Sequence, residues 1–160
     1  MKKKIWIPIL ILAVLVLAVS LHLRPRPLEQ VTGLELDNLT SLMATVTESG
    51  ISNGTPYIDH CVTPSFTPED EEFSVLLPLA APLQFRPSLW PFPRDSVGSA
   101  STRDVTLLLG TTEDFRWLTI YDNGKTMMSA PGGFLVYYLT DLELYQPLFS
   151  YIKANGEKDD

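Results

Sequence analysis

Apolar residues follow three different rhythms along this chain. Between residues 5 and 23 they run almost unbroken: Ile-Trp-Ile-Pro-Ile-Leu-Ile-Leu-Ala-Val-Leu-Val-Leu-Ala-Val-Ser-Leu-His-Leu. Between 31 and 47, and again between 105 and 139, they mostly alternate with polar residues. Around 67–80 and 140–153 they recur every three or four positions. A continuous run predicts a membrane-spanning helix, alternation predicts half-buried strands, and the wider spacing predicts amphipathic helices.

The first run is 19 residues long. At 1.5 Å per residue it predicts a helix of about 28 Å, near the roughly 30 Å hydrocarbon core. Lys2, Lys3 and Lys4 with Trp6 then read as the membrane-interface residues, and their charge outweighs Arg24 and Arg26. The positive-inside rule places residues 1–4 in the cytoplasm and the rest of the chain, past a 5–23 signal anchor, outside the cell membrane. Cleavage after Ala18-Val19-Ser20 is the alternative, giving a secreted protein that starts at Leu21.

Past a stiff linker at 24–30, built on Arg24-Pro-Arg-Pro27, alternation predicts strands at Val31–Asp37 and Leu39–Thr47. Residues 49–67 are turn-rich, with a short extended piece at Tyr57–Val62. Thr67-Pro68 followed by Glu69, Asp70, Glu71 and Glu72 reads as a helix start, with Thr67 as cap and Pro68 in the first turn. Phe73, Leu76, Leu77 and Ala80 supply its apolar stripe, and Pro78 and Pro82 should end it early. Residues 84–103 read as a long irregular loop. Val105–Leu109, Phe115–Tyr121, Thr126–Ser129 and Phe134–Leu139 predict a four-strand meander. Asn123-Gly124 marks a two-residue type I′ hairpin within it. Thr140 and Glu143 have capping-box spacing, so a last helix is expected from there through Leu142, Tyr145, Leu148, Phe149 and Ile152. Residues 154–160 form an acidic tail.

The expected fold class is α+β: a transmembrane helix followed by a small two-layer domain over 31–153, made of two strands, a helix, the meander and a final helix. With its apolar segment, its Phe115–Lys125 hairpin and its terminal helix, the arrangement resembles that of small membrane-tethered extracytoplasmic domains of bacteria. That likeness implies no site residue.

Charge removes one class of partner. The chain of 160 residues carries −7, yet residues 1–27 carry +5 and residues 28–160 carry −12. Phosphate contacts need cations, so nucleic acid is not an expected partner. One cysteine and two histidines provide neither a disulfide framework nor the usual zinc ligands, and no cofactor or metal is expected.

Candidate chemistry is sparse. Asp59-His60-Cys61 brings a carboxylate, an imidazole and a thiol together, but adjacent strand residues face opposite ways. Glu69 to Glu72 fan around a helix and suit its positive end. Asp122-Asn123-Gly124 lacks the spaced acids of a calcium loop. Asn38-Leu-Thr40 and Asn53-Gly-Thr55 are glycosylation sequons. Trp90 and Phe92, among prolines and flanked by Arg86 and Arg94, are expected to fold back as a lid on the core, as long loops pack through their own side chains; the alternative is a partner-contact loop, because aromatics and Arg anchor interfaces. In the meander, Trp117, Thr119 and Tyr121 share one face, as do Phe134, Val136 and Tyr138. Leu118 and Ile120, and Leu135, Tyr137 and Leu139, lie on the faces opposite these, so both sides are fairly apolar; the two helices can cover one side, and the other either packs on the N-terminal strands and loop or meets a partner. The expected function is a non-catalytic, membrane-anchored domain that binds another envelope protein or senses envelope conditions. The alternatives are a secreted binding or inhibitor-like protein, and a hydrolase without a recognisable motif.

Overall fold

The computed structural model describes residues 6–88, 102–130 and 133–158. Helix α1 spans Trp6–His22. Strand β1 (Arg26–Pro27) leads into helix α2 (Leu28–Thr32), and a 3₁₀ turn follows at Leu36–Asn38. Then come β2 (Ser41–Ser52), β3 (Thr55–Val62), α3 (Glu71–Ala80), β4 (Gln84–Pro87), β5 (Thr102–Gly110), β6 (Phe115–Tyr121), β7 (Lys125–Ala130) and β8 (Gly133–Leu139). A 3₁₀ turn at Leu142–Leu144, α4 (Tyr145–Asn155) and β9 (Glu157–Lys158) complete the order.

The strands make one nine-stranded sheet, ordered β1–β4–β8–β7–β6–β5–β2–β3–β9. Every described pairing is antiparallel. The expected fold class, a transmembrane helix followed by a small two-layer domain of two strands, a helix, a meander of about four strands and a final helix, is therefore corrected. The physical reason is β2. Its 12 residues pair with β3 on one side and with β5 on the other, from Ser41↔Gly110 to Ser49↔Thr102. That long-range pairing fuses the N-terminal hairpin to the meander.

The membrane reading is corrected as well. Helix α1 has 17 residues, about 26 Å, against the roughly 20 residues that a 30 Å core requires. No described helix is long and apolar enough to cross a membrane. The signal anchor, the single-pass topology and the cell-membrane location derived from it are not supported. Lys2, Lys3 and Lys4 lie outside the described residues, and Trp6 opens α1. The interface role given to all four falls with the span. The long apolar side chains from Ile7 to Leu21 are exposed.

Several local expectations shift for identifiable reasons. The expected strand Val31–Asp37 is absent: its first two residues and the end of the expected linker form helix α2, because Leu28 and Val31 share a turn and are both buried, and a 3₁₀ turn takes Leu36–Asn38. Helix α3 starts at Glu71, not at Pro68: the Asp70 carboxylate accepts from Thr67 N (2.6 Å) and Thr67 Oγ1 (2.9 Å), closing a separate turn first. The helix passes through Pro78 and ends two residues before Pro82. Helix α4 starts at Tyr145, which puts Pro147 in the first turn, where a missing N–H is tolerated. The preceding 3₁₀ turn is capped by Asp141, which accepts from Glu143 N at 3.0 Å, while Thr140 Oγ1 donates to Gln84 O at 3.1 Å. Residues 84–87, read as loop, are strand β4, and the tail contributes β9, which pairs with β3 at Cys61↔Lys158.

One face of the sheet is covered. Leu42, Ala44 and Val46 of β2, Val105, Leu107 and Leu109 of β5, Leu118 and Ile120 of β6, Met128 of β7 and Tyr137 and Leu139 of β8 point into it. Leu28 and Val31 of α2, Phe73, Leu76 and Ala80 of α3, and Leu148, Phe149 and Ile152 of α4 close over them in a single core. Burying a Leu or Ile side chain stabilises by roughly 1.5–3 kcal/mol, so this one layer of contacts dominates the fold. At its rim, Glu48 pairs with Arg103 (2.8 Å) and with Lys153 of α4, and Asp59 pairs with Lys158 (3.0 Å) and Lys153 (3.6 Å). This network pins α4 and β9 to the β2–β3 hairpin.

Candidate functional site

Strand alternation that sends one set of side chains into the core sends the other to the opposite face. On β2, β5, β6, β7 and β8 the second set is Met43, Leu108, Trp117, Met127, Phe134, Val136 and Tyr138, interspersed with Thr45, Thr47, Thr106 and Thr119. No described element lies over them. The face is organised in rows by the pairing register. Met43 stands opposite Leu108, and Leu108 opposite Trp117. Trp117 meets Phe134 edge to face, with ring centroids 5.0 Å apart. The next row runs Thr45, Thr106, Thr119, Met127 and Val136. The Thr106 and Thr119 hydroxyls are hydrogen-bonded at 2.8 Å. A third row is polar: Thr47, Asp104, Tyr121, Lys125 and Tyr138.

The aromatic end of the face is the exposed one. Phe134 is 56% exposed and Tyr138 39%, and Trp117 is half-buried under its neighbours. Lys125 Nζ sits 5.7 Å from the Tyr121 ring centroid. Asp104 is half-buried; burial pushes its carboxyl pKa up, and a hydrogen bond from Thr47 opposes that only in part. Burial likewise pushes the Tyr121 phenol up, with Asp104 adding to it. Beyond the core, the tip of β2–β3 adds Ile51 and Ile58 to this face, the latter 76% exposed.

Of the candidate partner contacts, only Arg86 falls within the described residues. It is exposed on β4 opposite Tyr138, at the edge of the open face. Trp90, Phe92 and Arg94 lie outside the described residues. The sheet face itself was legible in the sequence as the Trp117–Tyr121 and Phe134–Tyr138 alternation. Met43 and Leu108 were not assigned to it, because their place depends on the β2–β5 register.

The other candidates do not converge. His60 Nδ1 lies 3.2 Å from Thr47 Oγ1 on the open face, whereas Cys61 is buried on the opposite face and Asp59 is held by lysines. Asp59 is kept below the usual carboxylate range, chiefly by its hydrogen bond with Lys158. Among the described residues no group of three or more His, Cys, Asp or Glu is placed to hold a metal. An open cleft of about 760 Å³ is lined by Glu35, Asp37, Asn38, Thr111, Glu113 and Asp114. It holds no nucleophile–base pair, and Asp114 is already paired with Arg116 at 2.6 Å. The Tyr145 hydroxyl is buried with no hydrogen-bond partner among the described residues, and burial pushes its pKa far up.

Comparison with known proteins finds no matching family model, no matching curated protein and no matching solved structure.

Proposed function

We propose that this chain is a non-catalytic protein-binding domain whose contact surface is the open face of the sheet. One observation carries the reading. The five central strands present Met43, Leu108, Trp117, Met127, Phe134, Val136 and Tyr138 on a face with no described cover, while α2, α3 and α4 pack on the opposite face. Phe134 and Tyr138 are exposed and the other five are half-buried; contiguous accessible apolar surface marks interaction sites, and Trp, Tyr, Met and Phe are the side chains enriched there. The separation of His60 from Cys61 supports a binding role over nucleophilic catalysis.

The test is a photo-cross-linking amino acid placed at Phe134 in the full chain. Discrete adducts are expected from Phe134 and not from Glu69, which lies on the far side beside α3. Met127→Glu should abolish the adducts without moving the melting temperature by more than a few degrees. Equal labelling from both positions would remove the face from consideration.

A further inference from the structure

The protein-binding reading leaves the partner open, and the arrangement of charge on the face narrows it. Strand β6 is the middle of the five, with β5 and β7 on its flanks and β2 and β8 outside them. The open-face positions of these strands carry two charges, Asp104 on β5 and Lys125 on β7. Both lie in the row of Tyr121: Asp104 is its cross-strand partner on one side, and Lys125 approaches its ring from the other. Neither belongs to a described ion pair.

We infer that the open face pairs with the same face of a second copy of this chain, about a twofold axis running along β6. Such an axis exchanges β5 with β7 and β2 with β8 while keeping each row at its own height. Asp104 of each copy then meets Lys125 of the other, twice per dimer. Met43 comes opposite Phe134, and Thr106 opposite Met127. Trp117, Thr119 and Tyr121 lie on the axis. An isologous contact requires self-complementarity of this kind, in which i meets j and j meets i. The same operation on two like charges would repel. Sheet packing at about 10 Å also suits side chains of these sizes. Five strands spaced about 4.8 Å and six residues of about 3.3 Å give a face of roughly 480 Å² per copy. Two such faces bury about 1,000 Å², the lower limit for a specific interface. The half-buried Asp104 carboxylate, already partly stripped of water, gains a cation in the contact.

This inference rests on the open face being a protein-contact surface, and the experiments separate the two claims. The full chain is studied in a nonionic detergent that masks the exposed apolar residues of α1. Asp104→Lys places two cations opposite each other, and Lys125→Asp two anions; each is expected to weaken dimerisation at least tenfold in sedimentation equilibrium. The double variant should recover most of the loss. A short bis-maleimide should link Thr119→Cys chains into dimers in a Cys61→Ser background, and should not link Ser74→Cys chains, whose site is on α3. A chain that stays monomeric at every concentration overturns the inference. So does a dimer indifferent to both charge variants or equally linked through Ser74→Cys. The photo-cross-linker at Phe134 then reads the underlying claim. Adducts with a different protein alone overturn self-pairing and leave the binding face standing. Adducts within one chain, or none, overturn both.

Discussion

Two hairpins in this protein turn on the same dipeptide, Asn-Gly, and they are built differently. At the β2–β3 tip, Asn53 (φ +53°) and Gly54 (φ +79°) form a two-residue loop between Ser52 and Thr55. Both central residues have positive φ, the signature of a type I′ turn. The tip projects beyond the core into open space, and a Cβ at Gly54 would meet nothing within 4 Å. At the β6–β7 end only Gly124 has positive φ, +81°, and Asn123 does not. Gly124 N donates to Tyr121 O (2.8 Å), and Asn123 Oδ1 accepts from Lys125 N (2.9 Å). This is a type I turn closed by a glycine bulge, so the type I′ expectation for Asn123-Gly124 is corrected. In the second tip Asp122 and Asn123 are exposed, but Gly124 is buried. Gly124 O accepts from Leu139 N at 2.7 Å, and a Cβ on Gly124 would lie 2.8 Å from Leu142 Cδ2. A dipeptide therefore marks a reversal, but the loop length and the packing around it decide the geometry.

The largest expected difference is between Gly124→Val and Gly54→Val. A left-handed backbone costs a side chain about 1–2 kcal/mol at either position. At Gly124 the clash with Leu142 adds overpacking, for a total of about 3 kcal/mol. Urea unfolding should rank Gly124→Val well below Gly54→Val, and equal midpoints would show that the packing at Gly124 yields freely. Gly156→Val should also destabilise, because a Cβ there would lie 2.9 Å from Ile152 O and 3.3 Å from Cys61 Cβ.

Acid should separate the two hairpins next. The hydrogen bond from Lys153 holds Glu48 below the usual carboxylate range, and Lys158 does the same for Asp59. A lowered folded pKa means stability that is present above the unfolded value and lost as pH falls through the folded one. Below about pH 4, hydrogen exchange should therefore rise first in β3 and β9, while β6 and β7 stay protected; Glu48→Gln should flatten this response. Asp104 has the opposite sign. Its raised pKa makes the ionised form a cost that grows as pH rises through the folded value, so Asp104→Asn should raise the melting temperature of the monomer at pH 7 and lose that gain in acid. A melting temperature at pH 7 lower than that of the parent would mean that its charge is compensated within the chain.

The smallest effects test the turn types directly. Asn53→Ala should cost about 1 kcal/mol and Asn53→Gly almost nothing, since the position asks only for positive φ. Asn123→Ala should cost about 0.5–1 kcal/mol for the lost bond to Lys125 N, and Asn123→Gly should not recover it. The same response at both sites would erase the distinction between the turns.

Much of the C-terminal half was readable from local pattern alone. The alternation of Trp117 with Leu118, and of Tyr137 with Tyr138, assigns each residue to a face without knowing its neighbours, because side-chain direction in a strand has period two. The stripe of Leu148, Phe149 and Ile152 identifies the covering helix for the same reason, at period 3.6. Residues 28–32, too short for periodicity to discriminate, became helix through contacts of Leu28 and Val31 with the core. Strand β4 and the two-residue strands at both edges have no pattern of their own and exist only because a neighbour offers an unpaired edge. The joining of β2 to β5, separated by some fifty residues of chain, is likewise a tertiary event, and it is what turns two small sheets into one. The candidate site divides along the same line. Which residues are aromatic and which share a strand face is written in the sequence. That Asp104 and Lys125 flank Tyr121 in one row, and that Met43 and Leu108 extend the Trp117–Phe134 surface, follows from hydrogen-bond register, which no single segment encodes.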